Sequence, residues 1–240
     1  MKDRKDLFLR LLFPEEEEFK NTVIHRNMVV YGAQGMGKTE FLKYLAYEAT
    51  ERYGKDKVEA VQGHIDDLVT AVGYLPHPVK LLFADDLTGK KCKRMSEFFT
   101  IGHKFYMNSG FILTALVIHD FFAIPKPYRN FFNYLVVLNT PTNDYDYNWL
   151  KRRVGEKYLK ILEKLTMAKM LGKMKEWKLF WTVGNYKGFM KTPMVDYRIK
   201  SAKTYRHIEK LFNIGYESED EDEEEEDEGM EWLLYEEDME

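Results

Sequence analysis

The chain has 240 residues, with 36 Lys and Arg, 40 Asp and Glu, a single cysteine and 45% hydrophobic residues. The lone Cys92 excludes an intrachain disulfide and a multi-cysteine zinc site and suits a reducing, intracellular setting. The longest apolar run, Phe111 to Ile118, falls far short of the roughly 20 residues that cross a bilayer, and the opening Met-Lys-Asp-Arg-Lys-Asp lacks the apolar stretch of a secretory signal. The net charge of −4 conceals three unlike blocks. Residues 1–150 balance at 19 basic and 19 acidic, residues 151–210 hold 17 basic and 5 acidic, and residues 217–240 hold 16 acidic and none basic.

In chain order, Leu7, Phe8, Leu11, Leu12 and Phe13 predict a short amphipathic helix stopped near Pro14. The run Glu15 to Glu18 reads as a solvated connector, so residues 1–26 form an N-terminal helix and connector. Met28 to Tyr31 is a short apolar run closed by Gly32, which suits a buried strand. Phe41, Leu42, Leu45, Ala46 and Ala49 fall at helical spacing within 38–53. Further strands are expected at 57–62, 79–84, 111–118 and 134–138. A long helix is expected over about 148–171, and weaker strands at 177–183 and 195–199. Strands alternating with helices predict a mainly parallel sheet with helices on both faces, in one α/β domain over 27–216. Residues 217–228 cannot bury enough apolar surface to order themselves, and their like charges repel, so the acidic stretch 217–240 reads as a disordered tail.

Chemistry concentrates at Gly32-Ala33-Gln34-Gly35-Met36-Gly37-Lys38-Thr39, which fits G-x-x-x-x-G-K-[ST]. The glycines let the loop curl with its N–H groups turned inward around phosphate oxygens. The following helix presents its positive N-terminal end to the same anion. Lys38 can reach the β- and γ-phosphates of ATP, and the Thr39 hydroxyl can ligate Mg²⁺. The strand 79–84 ends in Asp85 and Asp86. A buried strand delivers such carboxylates to the edge where ligands bind in open α/β sheets. Asp85 is placed for the Mg²⁺ shell, and Asp86 is the candidate general base for the attacking water. Asp66 and Asp67 read instead as the start of a helix. The strand 111–118 ends at His119-Asp120, where a polar side chain can contact the γ-phosphate or the lytic water.

Four pieces in this order resemble the HerA/FtsK superfamily of P-loop motor ATPases, in its viral genome-packaging branch. They are Gly32–Thr39, Leu81–Asp86, the stretch Phe98-Phe99-Thr100-Ile101-Gly102-His103-Lys104, and Ala115–His119 followed by Pro127-Tyr128-Arg129-Asn130. The resemblance spans roughly residues 27–140, and only the first piece is highly specific. It departs from the family where Gly102-His103-Lys104 lacks an Arg, where His119 replaces the usual Gln, and where Asp86 replaces the Glu of many related motors. It implies a RecA-like, ASCE-type P-loop fold and ATP hydrolysis with Mg²⁺. It further implies a homo-oligomeric ring, hexameric or pentameric, that translocates double-stranded DNA. A neighbour's arginine would complete each site; Arg129 is the first candidate, followed by Arg152 and Arg153.

The basic block supplies candidates for a sequence-independent DNA track. Lys157, Lys160 and Lys164 share one helical face, with Leu159, Ile161 and Leu162 on the core side. Trp177, Trp181 and Tyr186 can stack on bases, although Met167, Met170, Met174, Trp177 and Trp181 read better as packing residues. The tail reads first as a solubilising segment with no specific contact; the two other jobs open to it are to screen the basic block or to dock, through Trp232 to Tyr235, on a capsid or other viral protein. The expected location is the host cytoplasm, with association to the virion during assembly, and no membrane partner. Two other readings stand beside the motor: an AAA-type helicase-loader ATPase, and a nucleotide-regulated assembly scaffold that hydrolyses weakly.

Overall fold

The computed structural model describes residues 5–84, 94–104, 109–171 and 177–192. Among the described residues, seven strands form one sheet: β1 (Val23–Tyr31), β2 (Val58–Gly63), β3 (Val79–Ala84), β4 (Gly110–Ile118), β5 (Tyr134–Val137), β6 (Trp177–Val183) and β7 (Tyr186–Thr192). Their order is β2-β3-β4-β1-β5-β6-β7. The first five are parallel, and β6 and β7 join antiparallel beyond β5. The fold is therefore mixed α/β with a mostly parallel sheet, as expected. β4 lies between β1 and β3, so the chain crosses over between strands that are adjacent in the sheet but not in sequence.

The central strands are apolar throughout because both faces are covered. Met28 and Val30 of β1 enter one core cluster, while Val29 and Tyr31 enter the other. The first face carries α1 (Lys5–Leu12) and α3 (Lys38–Tyr53), which bury Phe8, Leu12, Phe41, Leu45 and Ala49. The second carries α4 (Ile65–Ala71), α5 (Met95–Phe99), α6 (Ile101–Lys104), α7 (Asp144–Val154) and α8 (Glu156–Met170). It buries Leu68, Phe98, Ile101, Leu150, Leu159 and Leu162. As read from sequence, Asp66 and Asp67 lie in the first turn of α4. Among the described residues, no helix is long and apolar enough to cross a membrane.

Several expectations are corrected. The acidic connector contains a one-turn helix, α2 (Glu16–Phe19), which buries Phe19. The first strand begins at Val23, five residues before the apolar run, because His25, Arg26 and Asn27 are half-buried members of it. The single helix over 148–171 is two helices. Gly155 adopts φ +95°, a left-handed value that ends α7 and reverses the chain into α8. The strand β7 was missed, although its Gly184-Asn185 turn after an apolar run is a hairpin signal. The strand expected at 195–199 lies outside the described residues.

Candidate nucleotide site

The parallel strands end in register. Tyr31 lies beside Ile118 and Val137, and Ala84 lies beside Leu116. The residues that follow these strands therefore meet at one sheet edge, on either side of the central β1. The loop Gly32–Gly37 leaves β1 here, and Gly37 becomes the N-cap of α3. Gly35 and Gly37 have φ of +73° and +79°, a region that side chains with a Cβ rarely enter. Gly32 is needed for another reason: a Cβ there would meet the Leu138 Cβ at 3.2 Å and the Asn139 Oδ1 at 3.4 Å.

Lys38 is buried, and its ammonium donates to the carbonyls of Gly32 at 2.9 Å and Ala33 at 3.0 Å. The same Nζ is 3.2 Å from Nδ1 of His119. The structure thus brings His119 to the phosphate loop, at the position expected from the end of β4. Gln34 and Thr39 are exposed, and Ala33 and Met36 are half-buried. The Thr39 hydroxyl, open on the first turn of α3, is a hard oxygen donor that suits Mg²⁺. Asp85 and Asp86 lie outside the described residues. Among the described residues, no cluster of three or more His, Cys, Asp or Glu could hold a metal ion.

Two polar residues at this edge escaped the sequence reading. Asn139, just past β5, is buried and accepts the Ala33 N–H at 2.7 Å. It also donates through Nδ2 to the Thr140 carbonyl at 2.8 Å. Asp146 of α7 is fully buried. Its carboxylate accepts from the Phe121 N–H at 3.2 and 3.3 Å and from Asn143 Nδ2 at 3.0 Å. Burial raises its pKa, against the lowering effect of Asn143 and the Phe121 N–H. Asp120 accepts the Phe122 N–H, and the Phe121 ring stacks on Tyr31 at 4.6 Å. The segment carrying His119 is thereby fastened to both β1 and α7.

Arg129 follows the same strand end. It donates to the Ile124 carbonyl at 2.8 Å and to the Tyr145 hydroxyl at 2.5 Å. It also lies over the stacked rings of Phe122 and Tyr145. The guanidinium is pre-set by its own chain, with the exposed Phe122 beside it.

The segment Gly102-His103 lies elsewhere. Gly102 packs against His25 of β1, six residues before the phosphate-loop end of that strand. Burial, with His103 adding to it, pushes the His25 pKa down to about 4.

The basic block is split. Lys157, Lys160 and Lys164 are exposed on α8, and Glu156 pairs with Lys160 at 2.9 Å and with Lys151 at 3.2 Å. Arg152 is exposed. Arg153 stacks on Phe132 and Trp149 and donates to the Phe132 carbonyl. With Asn133, Asn185 and Lys187 it lines a polar cleft of about 490 Å³ at the opposite sheet edge. Trp181 is buried against Phe8, which removes it as a base-stacking candidate. Met167 and Met170, expected to pack, are 66% and 74% exposed.

No protein-family model matches the chain, and no curated protein matches it in sequence. Among solved structures it is similar to the genome packaging NTPase B204 of Sulfolobus turreted icosahedral virus 2 in complex with ATP-gammaS. The identity is 8% and the TM-score 0.45, over 71% of this chain and 98% of that one. It is also similar to the DNA-packaging ATPase B204 of Sulfolobus turreted icosahedral virus, at 8% identity and TM-score 0.48, over 69% and 96% of the two chains. The Thermotoga maritima RuvB Holliday junction branch migration motor follows at 16% identity and TM-score 0.34, over 61% and 56%. Likeness at this level assigns no activity.

Proposed function

We propose that the chain is an ATP-hydrolysing translocase of double-stranded DNA, of the viral genome-packaging kind. The observation that carries the nucleotide half is the loop 32–39 itself. Two left-handed glycines shape it, Lys38 is buried at its base, and His119 arrives from the neighbouring strand. Triphosphate oxygens are bound by the loop N–H groups, the α3 N-terminus and the Lys38 ammonium, which together offset charge that spreads over the transferring phosphoryl group. Thr39 and Asp85 are the residues that would hold Mg²⁺, which when bound would supply neutralisation of phosphate charge. Asp86 orients and deprotonates the attacking water. His119 contacts the γ-phosphate side and reports its presence to Asp120 and α7.

The DNA half is supported by the order of the four sequence pieces and by the exposed lysines of α8, whose contacts with a phosphate backbone would be salt-dependent and sequence-independent. The acidic tail is the partner or competitor of that surface. ATPase activity is expected to require Mg²⁺ and to rise several-fold on adding duplex DNA, with the stimulation fading as salt increases. Normal nucleotide binding with no response to any DNA would discard the translocase and favour the nucleotide-regulated scaffold.

Arg129 serves a neighbouring subunit's nucleotide in a ring. Arg129→Ala protein is expected to lose most hydrolysis, by about 10³-fold if the residue acts as a finger. Mixing it with Lys38→Ala subunits, themselves inactive, should restore activity at mixed interfaces. Wild-type turnover by Arg129→Ala alone would remove Arg129 from the site.

A further inference from the structure

α8 runs back toward the phosphate loop, and its last turn touches that loop. The Thr140 N–H donates to the Thr166 hydroxyl at 3.0 Å, which fixes the end of α8 beside Asn139. One turn further on, Lys169 extends its ammonium to 3.4 Å from the carbonyl of Met36. Met36 is the single residue between the two left-handed glycines, at the crest of the loop.

The orientation of Lys169 runs against hydrophobicity. Its neighbours Met167 and Met170 face solvent, whereas Lys169 is half-buried toward the loop. Burial pushes its ammonium down to about 8, a loss that a solvent-facing lysine would avoid. A charged side chain turned inward where methionines turn outward is held there by what it meets.

What it meets has a geometric consequence. The Met36 carbonyl and the Gly37 N–H belong to one planar trans peptide and point in opposite directions. Holding the carbonyl outward turns the Gly37 N–H inward, toward the phosphates. Asn139 meanwhile anchors the beginning of the same loop through the Ala33 N–H.

We infer that Lys169 is a positioning residue of the nucleotide site, fixing the Met36–Gly37 peptide from the end of α8 so that the Gly37 N–H is aimed at phosphate. This rests on the nucleotide-site reading above. It also makes the loop crest answer to the α7–α8 hairpin, which carries the basic surface. In this role the ammonium acts through the loop backbone, by its contact with the Met36 carbonyl.

The test compares Lys169→Met and Lys169→Arg with wild-type protein, using a fluorescent ATP analogue for affinity and steady-state ATP hydrolysis for kcat and KM. Lys169→Met is expected to raise Kd and KM about threefold to tenfold, the range for losing one ordinary hydrogen bond, because a 3.4 Å contact is long for a charge-assisted one. Its kcat at saturating ATP should stay within about twofold, and its melting midpoint should not change. Lys169→Arg should recover most of the affinity. Wild-type affinity in Lys169→Met overturns the inference, as does a fall in kcat at unchanged KM. A lowered melting midpoint with no rescue by Arg also overturns it, because the role would then be structural. Failure of the wild-type protein itself to bind the analogue overturns the nucleotide-site reading and this inference with it. Binding by wild type with no effect of Lys169→Met overturns this inference alone.

Discussion

Lys38→Ala is expected to reduce ATP hydrolysis by about 10²–10³-fold or more, the range seen when one preorganised charge-stabilising donor is removed. The reasons lie in its surroundings. The Lys38 ammonium sits within hydrogen-bonding distance of two loop carbonyls and of His119, so it is already where phosphate charge must be met. A buried side chain there cannot be replaced by bulk water or a mobile cation. Folding should survive, because α3 is anchored by Phe41, Leu42, Leu45 and Ala49 rather than by Lys38. Steady-state hydrolysis, with melting as the control for folding, decides the matter. Turnover within twofold of wild type would remove the loop from the chemistry.

The second large effect concerns stability. Gly102→Val is expected to destabilise the protein by about 1–3 kcal/mol, the usual range for overfilling a packed position. For a chain of this size that lowers the melting midpoint by several degrees. A Cβ at Gly102 would stand 2.6 Å from the His25 Cβ and 3.0 Å from its Cγ. Neither atom is the far end of a flexible side chain, so α6 must lift from β1. The residue resembles part of a family motif, yet here its absence of a side chain serves close packing of a helix on the central strand. Thermal or urea unfolding of Gly102→Val gives the answer; an unchanged midpoint would mean that α6 can shift freely.

Much of the fold was legible because its signals are local. Four apolar residues before a glycine-rich loop announced the C-terminal half of β1, and the alternation of strands and helices announced the parallel sheet. The phosphate loop was legible because a fixed spacing of Gly, Lys and Thr carries its mechanism. What was hidden depends on distant pairing. The first half of β1 contains His25, Arg26 and Asn27, which look like loop residues until the sheet supplies their partners. His25, for example, lies 3.1 Å through Nε2 from the Thr114 hydroxyl of β4. Asn139 and Asp146 carry no motif, and their role exists only because β5 and α7 end beside β1 and β4. Gly155 was read as part of a helix because its flanks both have helical spacing; its positive φ divides them. Lys169 reads in sequence only as part of the basic block, a candidate DNA track, because periodicity alone could not show α8 returning to residue 36. Asp85 and Asp86, although prominent in sequence, lie outside the described residues.

The central place of β1 has a consequence for how the protein is made. Its neighbours in the sheet begin at Gly110 and Tyr134, which pair with Val23 and Met28. During synthesis at about 5–20 residues per second, the strand emerges several seconds before either partner exists. An apolar strand with two open edges is then exposed to other nascent chains. The phosphate loop can take its anchored form only after Asn139 has left the ribosome. Sheet assembly here is therefore late, non-local and slow compared with that of a helical bundle. Nucleotide binding can stabilise the domain only once more than half of the chain has been translated.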